Sequence, residues 1–158
     1  MKYMKNLFKL MLLFILAIPF QGCSDDDSSS SSNLPVTYYS IKGVWKLQEW
    51  SGAGEELPVV YLEFFSGKEK KYNIYTKGLS TMYPDVVSGT YELEDDYYKG
   101  DIITGKYDNG KDTGKWSNDY IITLFKEDVM VWVVDGNKSD SYTYVRVDAV
   151  PEDMKYIP

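Results

Sequence analysis

The chain of 158 residues contains no histidine, and its only cysteine is Cys23. A disulfide within the chain needs a second cysteine, and structural zinc sites are built mainly from cysteine and histidine. A serine or cysteine nucleophile also needs a general base beside it, most often a histidine. These absences therefore exclude disulfide scaffolds, Cys/His zinc sites and catalytic pairs that depend on histidine.

Basic side chains are also scarce. Lysine and arginine number 17 against 24 aspartates and glutamates, a formal net charge of −7, and Arg146 is the only arginine. Such a surface repels the phosphates of nucleic acids and of anionic lipids, so we expect no nucleic-acid partner. The oxygen-rich run at 108–112 lacks the ligand register of a calcium loop and is predicted to be a turn. We therefore expect no metal site and no cofactor.

The long apolar run of the chain lies at its N-terminus. Lys2, Lys5 and Lys9 precede the apolar stretch at 10–20. A positive segment followed by an apolar run of this length is typical of a secretory signal peptide, and the run is too short to span a bilayer comfortably. The sequence therefore predicts a signal peptide over residues 1–22.

The residues Phe20-Gln21-Gly22-Cys23 end this leader. They resemble the lipobox of bacterial lipoproteins, in which a small residue precedes a cysteine that is linked to diacylglycerol before cleavage. Phe20 and Gln21 depart from the more usual Leu and Ala or Ser of that pattern. The resemblance implies that Cys23 is lipidated and that this lipid anchors the mature protein to a membrane.

A polar segment follows Cys23, with the acidic cluster Asp25-Asp26-Asp27 and then a run of serines. A segment that has nothing apolar to bury stays disordered, so residues 23–37 are predicted to be a flexible tether. The acidic cluster resembles the signal that sends Bacteroidetes lipoproteins to the outer face of the outer membrane. This resemblance implies a cell-surface location, and the alternative is that the cluster is only a solvated linker.

Short runs rich in β-branched and aromatic residues make up the rest of the chain, separated by Gly, Asp, Asn and Pro. This spacing is typical of antiparallel strands joined by tight turns. Eight such strands can close into an up-and-down barrel, which leaves no exposed edge. The sequence therefore predicts an all-β fold, with an eight-stranded antiparallel barrel over residues 38–150 and a tail at 151–158. The predicted strands are 43–50, 59–65, 70–76, 87–94, 98–107, 119–125, 128–134 and 141–147.

The motif Gly43-x-Trp45 opens the first predicted strand, and Tyr142-x-Tyr144-x-Arg146 lies on the last. These residues resemble the Gly-x-Trp motif and the terminal arginine of lipocalins, and in particular the lipocalin-like domains of Bacteroidetes lipoproteins. In that family the arginine stacks across the tryptophan and seals the closed end of the barrel. The resemblance implies that Trp45 and Arg146 form a barrel-closing structural pair.

Strand alternation gives a candidate ligand site inside the predicted barrel. Leu47 and Glu49 share one face of the first strand, Tyr142 and Tyr144 share one face of the last, and Trp50 is expected to point outward in the absence of a bulge. Apolar walls with a few polar tips are the usual form of a small-molecule site. The alternative is that these side chains simply fill the interior.

The leading interpretation is a surface lipoprotein whose barrel binds a small apolar or amphipathic ligand. The alternative is a protein-interaction module that meets a surface partner through exposed aromatics such as Trp50, Trp116 and Trp132. A third interpretation, an enzyme with paired carboxylates such as Asp95 and Asp96, is disfavoured, because adjacent carboxylates at a turn usually form a solvated surface. The chain is therefore predicted not to be an enzyme and to have no catalytic residues.

Overall fold

A computed structural model describes residues 33–54, 56–78, 81–108 and 114–155 of the chain. The predicted signal peptide and Cys23 lie outside these described residues. The strands in the described ranges are β1 (Gly43–Trp50), β2 (Val59–Phe64), β3 (Lys71–Lys77), β4 (Asp85–Asp96), β5 (Gly100–Tyr107), β6 (Gly114–Lys115), β7 (Tyr120–Phe125), β8 (Val129–Val134) and β9 (Asn137–Val147), and one helix, α1, spans Glu152–Lys155.

Eight of these strands close into an antiparallel barrel. Pairing runs from β1 through β2, β3, β4, β5, β7 and β8 to β9, and β9 pairs with β1 to close the ring. Each strand pairs with strands next to it in this order, so the barrel is of the up-and-down kind. The two-residue β6 adds to the side of β5 and is not needed for closure. The predicted fold class is confirmed.

Successive side chains of a strand point alternately into the barrel and out of it, and the barrel strands carry apolar residues at the inward positions. On β8, Met130, Trp132 and Val134 are buried, whereas Val131 and Val133 between them are half-buried. A strand with β-branched and aromatic residues fits such a pleated surface well. The alternation therefore places the aromatic ring of Trp132 in the interior of the barrel.

A β-bulge interrupts β1 between Leu47 and Glu49, where Leu47 pairs with Tyr144 but Glu49 pairs with Thr143. One extra residue in a strand moves the side chains beyond it to the opposite face. Glu49 is exposed as a result, and Trp50 packs against the interior cluster. The expectation that Glu49 lines the interior is wrong, because simple alternation does not hold across a bulge. Trp50 is expected to point outward only in the absence of a bulge, and β1 does not meet that condition.

The main hydrophobic core fills the interior, with contributions from all eight barrel strands. Among the described residues, no side chain classed as polar or charged is buried, so the polar side-chain atoms of this core belong to tyrosine and tryptophan. The members of the core are Ile41, Trp45, Leu47, Leu62, Phe64, Tyr72, Tyr91, Ile103, Trp116, Ile122, Phe125, Met130, Trp132 and Tyr144.

A second, smaller cluster lies on the outer face of the barrel. Val44, Tyr61 and Tyr75 pack there against Val150 and Met154. Met154 belongs to α1 and is almost fully buried. The predicted tail at 151–158 is therefore packed on the barrel as far as the end of α1, and its last three residues lie outside the described residues.

The predicted tether of residues 23–37 extends too far into the folded unit, which begins at Asn33. The backbone N–H of Leu34 donates to the carbonyl of Phe125 at 2.8 Å. Val36 packs against the interior core as well. Residues 33–37 therefore lie against the barrel, because this short stretch carries apolar side chains that the serine run before it lacks.

Candidate functional site

Arg146 and Trp45 are in contact at one end of the barrel, where the segment before β1 meets the turn between β7 and β8, and this end is called the closed end. The guanidinium carbon of Arg146 lies 4.1 Å from the centre of the Trp45 ring. The three guanidinium nitrogens donate to the carbonyls of Glu127 (2.6 Å), Lys42 (2.6 Å) and Ser40 (2.8 Å). Only a planar fork of donors makes all these contacts while stacked on an indole. The structure thus places in contact the two residues that the sequence motif paired.

Gly43 is required at this closed end for two reasons. Its φ is +121°, a region that favours glycine, and a Cβ there would lie 2.8 Å from Nη1 of Arg146. The indole N–H of Trp45 donates to the carbonyl of Ile41 at 2.8 Å. The guanidinium and the indole are therefore both hydrogen-bonded to the backbone, and Gly43 leaves the space that the guanidinium occupies.

Aromatic rings pack through the interior above the Trp45 ring. The ring centres are 4.8 Å apart for Phe64 and Tyr91, 6.2 Å for Phe64 and Trp132, and 5.0 Å for Trp132 and Tyr144. Separations of about 4.5–7 Å are those of aromatic rings in direct contact. The geometry therefore favours a filled interior over an open one.

Three of the four predicted ligand-site residues belong to this arrangement. Leu47 and Tyr144 are buried, and Tyr142 is half-buried with its ring stacked on Trp50 at 5.5 Å between centres. Burial raises the pKa of Tyr142 to about 12, so its hydroxyl keeps its proton at neutral pH. Glu49 lies apart from the other three, on the outer face beyond the bulge.

Of the three tryptophans expected at the surface, two are buried and one is half-buried. Trp116 and Trp132 are 6% and 3% exposed, and Trp50 packs against the interior core. The expectation of an exposed tryptophan patch is therefore wrong. Tyr97 and Tyr98, at the turn between β4 and β5, are instead highly exposed.

Trp116 enters the interior from the connection between β6 and β7. Its indole N–H donates to the hydroxyl of Tyr72 at 2.6 Å, and that hydroxyl donates to the carbonyl of Lys106 at 3.2 Å. The indole lies over Gly105, where a side chain would collide with it. Sequence reasoning named this residue only as an exposed aromatic and missed its interior position, although a glycine inside a strand, as at Gly105, is a signal of close approach by another group.

Tyr91 and Trp132 carry polar atoms that have no hydrogen-bond partner among the described residues. These atoms are the hydroxyl oxygen of Tyr91 and Nε1 of Trp132, on side chains that are 1% and 3% exposed. Burial raises the pKa of Tyr91 to about 12, so its hydroxyl is neutral and able to donate. Most buried polar groups in proteins are paired, and leaving one unpaired costs about 1–3 kcal/mol. Each atom is therefore a place where a polar group of a ligand would be stabilised once the rings that fill the interior make room for it.

One carboxylate at the β4–β5 turn, that of Asp96, has a structural use. Asp96 accepts the backbone N–H groups of Tyr98 and Lys99, both at 2.8 Å, and these hydrogen bonds lower its pKa. Among the described residues, no group of three or more Cys, Asp or Glu side chains is arranged to hold a metal ion. Most of the run at 108–112 lies outside those residues.

Comparison of the chain with protein-family models, with curated proteins and with solved structures gives no match. No helix in the described ranges combines the length and the hydropathy that a bilayer crossing requires. The interpretation of the site therefore rests on its own geometry.

Proposed function

We propose that this chain is a lipid-anchored, surface-exposed lipoprotein of the lipocalin-like type, and that its barrel binds a small apolar or amphipathic molecule. One observation carries the ligand-binding proposal: the unpartnered hydroxyl of Tyr91 and Nε1 of Trp132 are enclosed by aromatic rings. Small-molecule sites combine apolar walls with a few polar groups of this kind.

The polar groups restrict the class of ligand. The indole N–H of Trp132 only donates, so it needs an acceptor, whereas the hydroxyl of Tyr91 can donate or accept. No charged side chain of the described residues is buried, and a charge without a counter-ion is costly to desolvate. The buried end of the ligand is therefore neutral and carries a hydroxyl, carbonyl or similar group.

Fluorescence titration of the full chain with N-phenyl-1-naphthylamine, which brightens in apolar surroundings, tests ligand binding. We expect the probe to bind and the neutral amphiphile 1-decanol to displace it. Trp132→Phe keeps a ring but removes the N–H, so decanol should compete about three- to tenfold less well, as expected for one lost hydrogen bond. Tyr97→Phe, which changes an exposed hydroxyl, is the matched control and should compete like the wild type. No bound probe in the wild type, or equal competition in Trp132→Phe, would contradict the proposal.

The anchor is tested separately at Cys23, because only this thiol can form the thioether. Cells that express Cys23→Ser should accumulate an uncleaved precursor that incorporates no labelled fatty acid. Replacement of Asp25, Asp26 and Asp27 by alanine should leave the labelling intact but protect the protein from protease added to whole cells. Normal labelling of Cys23→Ser refutes the anchor, and unchanged protease access refutes the surface signal.

A second candidate function is a protein-interaction module, favoured by Tyr97 and Tyr98. Their side chains are 93% and 91% exposed, and their rings meet edge to face with centres 5.1 Å apart. Tyrosine is enriched among the residues that dominate binding at interfaces. For this function, changing both tyrosines to serine should abolish binding to a surface partner and leave N-phenyl-1-naphthylamine binding unchanged. Loss of probe binding in that variant would instead place the two tyrosines in the ligand site.

A further inference from the structure

The side chain of Trp116 occupies a space in the barrel that is shaped for a planar aromatic group. We propose that this indole is a removable plug in the ligand site, and that the ligand is a planar aromatic molecule with an N–H or O–H donor where the indole N–H lies. The inference rests on the proposed ligand binding and adds to it the class of the ligand.

The strand beneath Trp116 leaves room for the indole. A Cβ on Gly105 would lie 2.3 Å from Cε2 of Trp116, closer than real Cβ atoms approach other atoms. Gly105 is buried within β5, where a glycine weakens the strand. The backbone N–H of Trp116 donates to the carbonyl of Gly105 at 2.8 Å and so holds the indole over the glycine. The space above Gly105 is therefore specific for a flat group.

The polar end of this space selects a donor. The hydroxyl of Tyr72 uses its hydrogen on the carbonyl of Lys106, so its oxygen is left to accept from the indole N–H of Trp116 at 2.6 Å. The Tyr72 ring meets the indole edge to face at 5.2 Å between centres. A ligand that replaces the indole must therefore be aromatic and must donate to Tyr72.

The plug is held by a short piece of strand. β6 has two residues, both exposed, which pair with Lys106 and Tyr107 of β5. The barrel ring closes through β5 and β7, so β6 can separate without opening the ring. Trp116 itself is held by ring contacts with Tyr72, Tyr120 and Trp132, and a ligand of the same shape would replace those contacts when the indole leaves.

The space that the plug occupies borders the two residues that carry unpartnered polar atoms, Trp132 and Tyr91. The rings of Trp116 and Trp132 have centres 6.1 Å apart, and Tyr91 pairs directly with Gly105 in the β4–β5 ladder. A ligand in the place of the indole would therefore contact the ring of Trp132 and lie over the β5 position that pairs with Tyr91.

Calorimetric titration of the full chain with indole, and with indene, which has the same shape but no N–H, tests this inference. Trp116→Ala removes the competing plug, so it should bind indole about tenfold more tightly than the wild type does, and indole should bind better than indene. Tyr72→Phe should abolish the preference for indole over indene. Tyr97→Ala, which truncates an exposed ring, is the matched control and should bind indole as the wild type does.

A measurement on the wild-type side chain complements the titration and does not depend on the folding of Trp116→Ala. In chain labelled with 5-fluorotryptophan, the fluorine resonance of Trp116, assigned with Trp116→Phe, should move to the solvent-exposed position when indole is added. The plug proposal would be refuted if the resonance did not move when indole was added. It would also be refuted if folded Trp116→Ala bound indole more weakly than the wild type does, or if indole bound only to that variant. If N-phenyl-1-naphthylamine binds while indole does not, the plug fails and the proposed function stands; if neither binds, both fail.

Discussion

The closed end of the barrel and its aromatic interior use polar groups in opposite ways. At the closed end the guanidinium of Arg146 and the indole N–H of Trp45 all donate to backbone carbonyls. In the interior Tyr91 and Trp132 leave polar atoms without a partner among the described residues. A satisfied buried network rigidifies a fold, whereas an unsatisfied one lowers stability. The comparison therefore separates the part that stabilises the barrel from the part with unused binding capacity.

Truncation of Trp45 should produce the largest effect. Trp45→Ala removes a fully buried ring that contacts Phe125 and Arg146 and leaves a cavity, so the free energy of unfolding should fall by about 3–5 kcal/mol. Urea unfolding followed by circular dichroism measures the loss. A loss no larger than that of an average surface substitution would contradict the structural role of the closed end.

Replacement of Arg146 by lysine should cost less, because the charge remains. Arg146→Lys loses the planar stack on Trp45 and the fork of donors, so we expect a loss of about 1–3 kcal/mol in the free energy of unfolding. Since both residues act in one contact, the double variant with Trp45→Ala should lose less than the two single variants together. If the losses were strictly additive in this double-mutant cycle, measured by urea unfolding, the contact would contribute no coupling energy.

The sequence predicts the strands far better than the interior. Turn residues and alternating apolar positions place all eight barrel strands close to their observed bounds, because these signals are local. The bulge after Leu47 leaves no such local signal, and it decides which way Glu49 and Trp50 face. The position of Trp116 depends on its pairing with Gly105, a contact that exists only once β5 and β6 have met. The candidate site was therefore less predictable than the fold.

High pH should weaken the interior. Burial raises the pKa values of Tyr91 and Tyr142 to about 12, whereas a tyrosine in an unfolded chain ionises near pH 10, about the standard value. The unfolded chain therefore loses these protons first, so the free energy of unfolding should hold below about pH 10 and fall between about pH 10 and 12. Urea unfolding at several pH values measures this slope, and Tyr91→Phe should make it shallower. An equal slope in that variant would contradict the assignment to Tyr91.

The smallest effect, and the one that distinguishes the two regions most sharply, should come from removal of the Tyr91 hydroxyl. Because this hydroxyl has no partner among the described residues, Tyr91→Phe should leave the free energy of unfolding unchanged or raise it by up to about 1 kcal/mol. Tyr72→Phe is the matched control, since it removes a hydroxyl that bonds both Trp116 and Lys106, and it should lose about 1 kcal/mol. Urea unfolding of the two variants at neutral pH measures these changes in the free energy of unfolding, which should differ in sign or in size. A loss in Tyr91→Phe as large as that in Tyr72→Phe would show that the Tyr91 hydroxyl is already satisfied in the free protein, and it would remove the observation on which ligand binding is proposed.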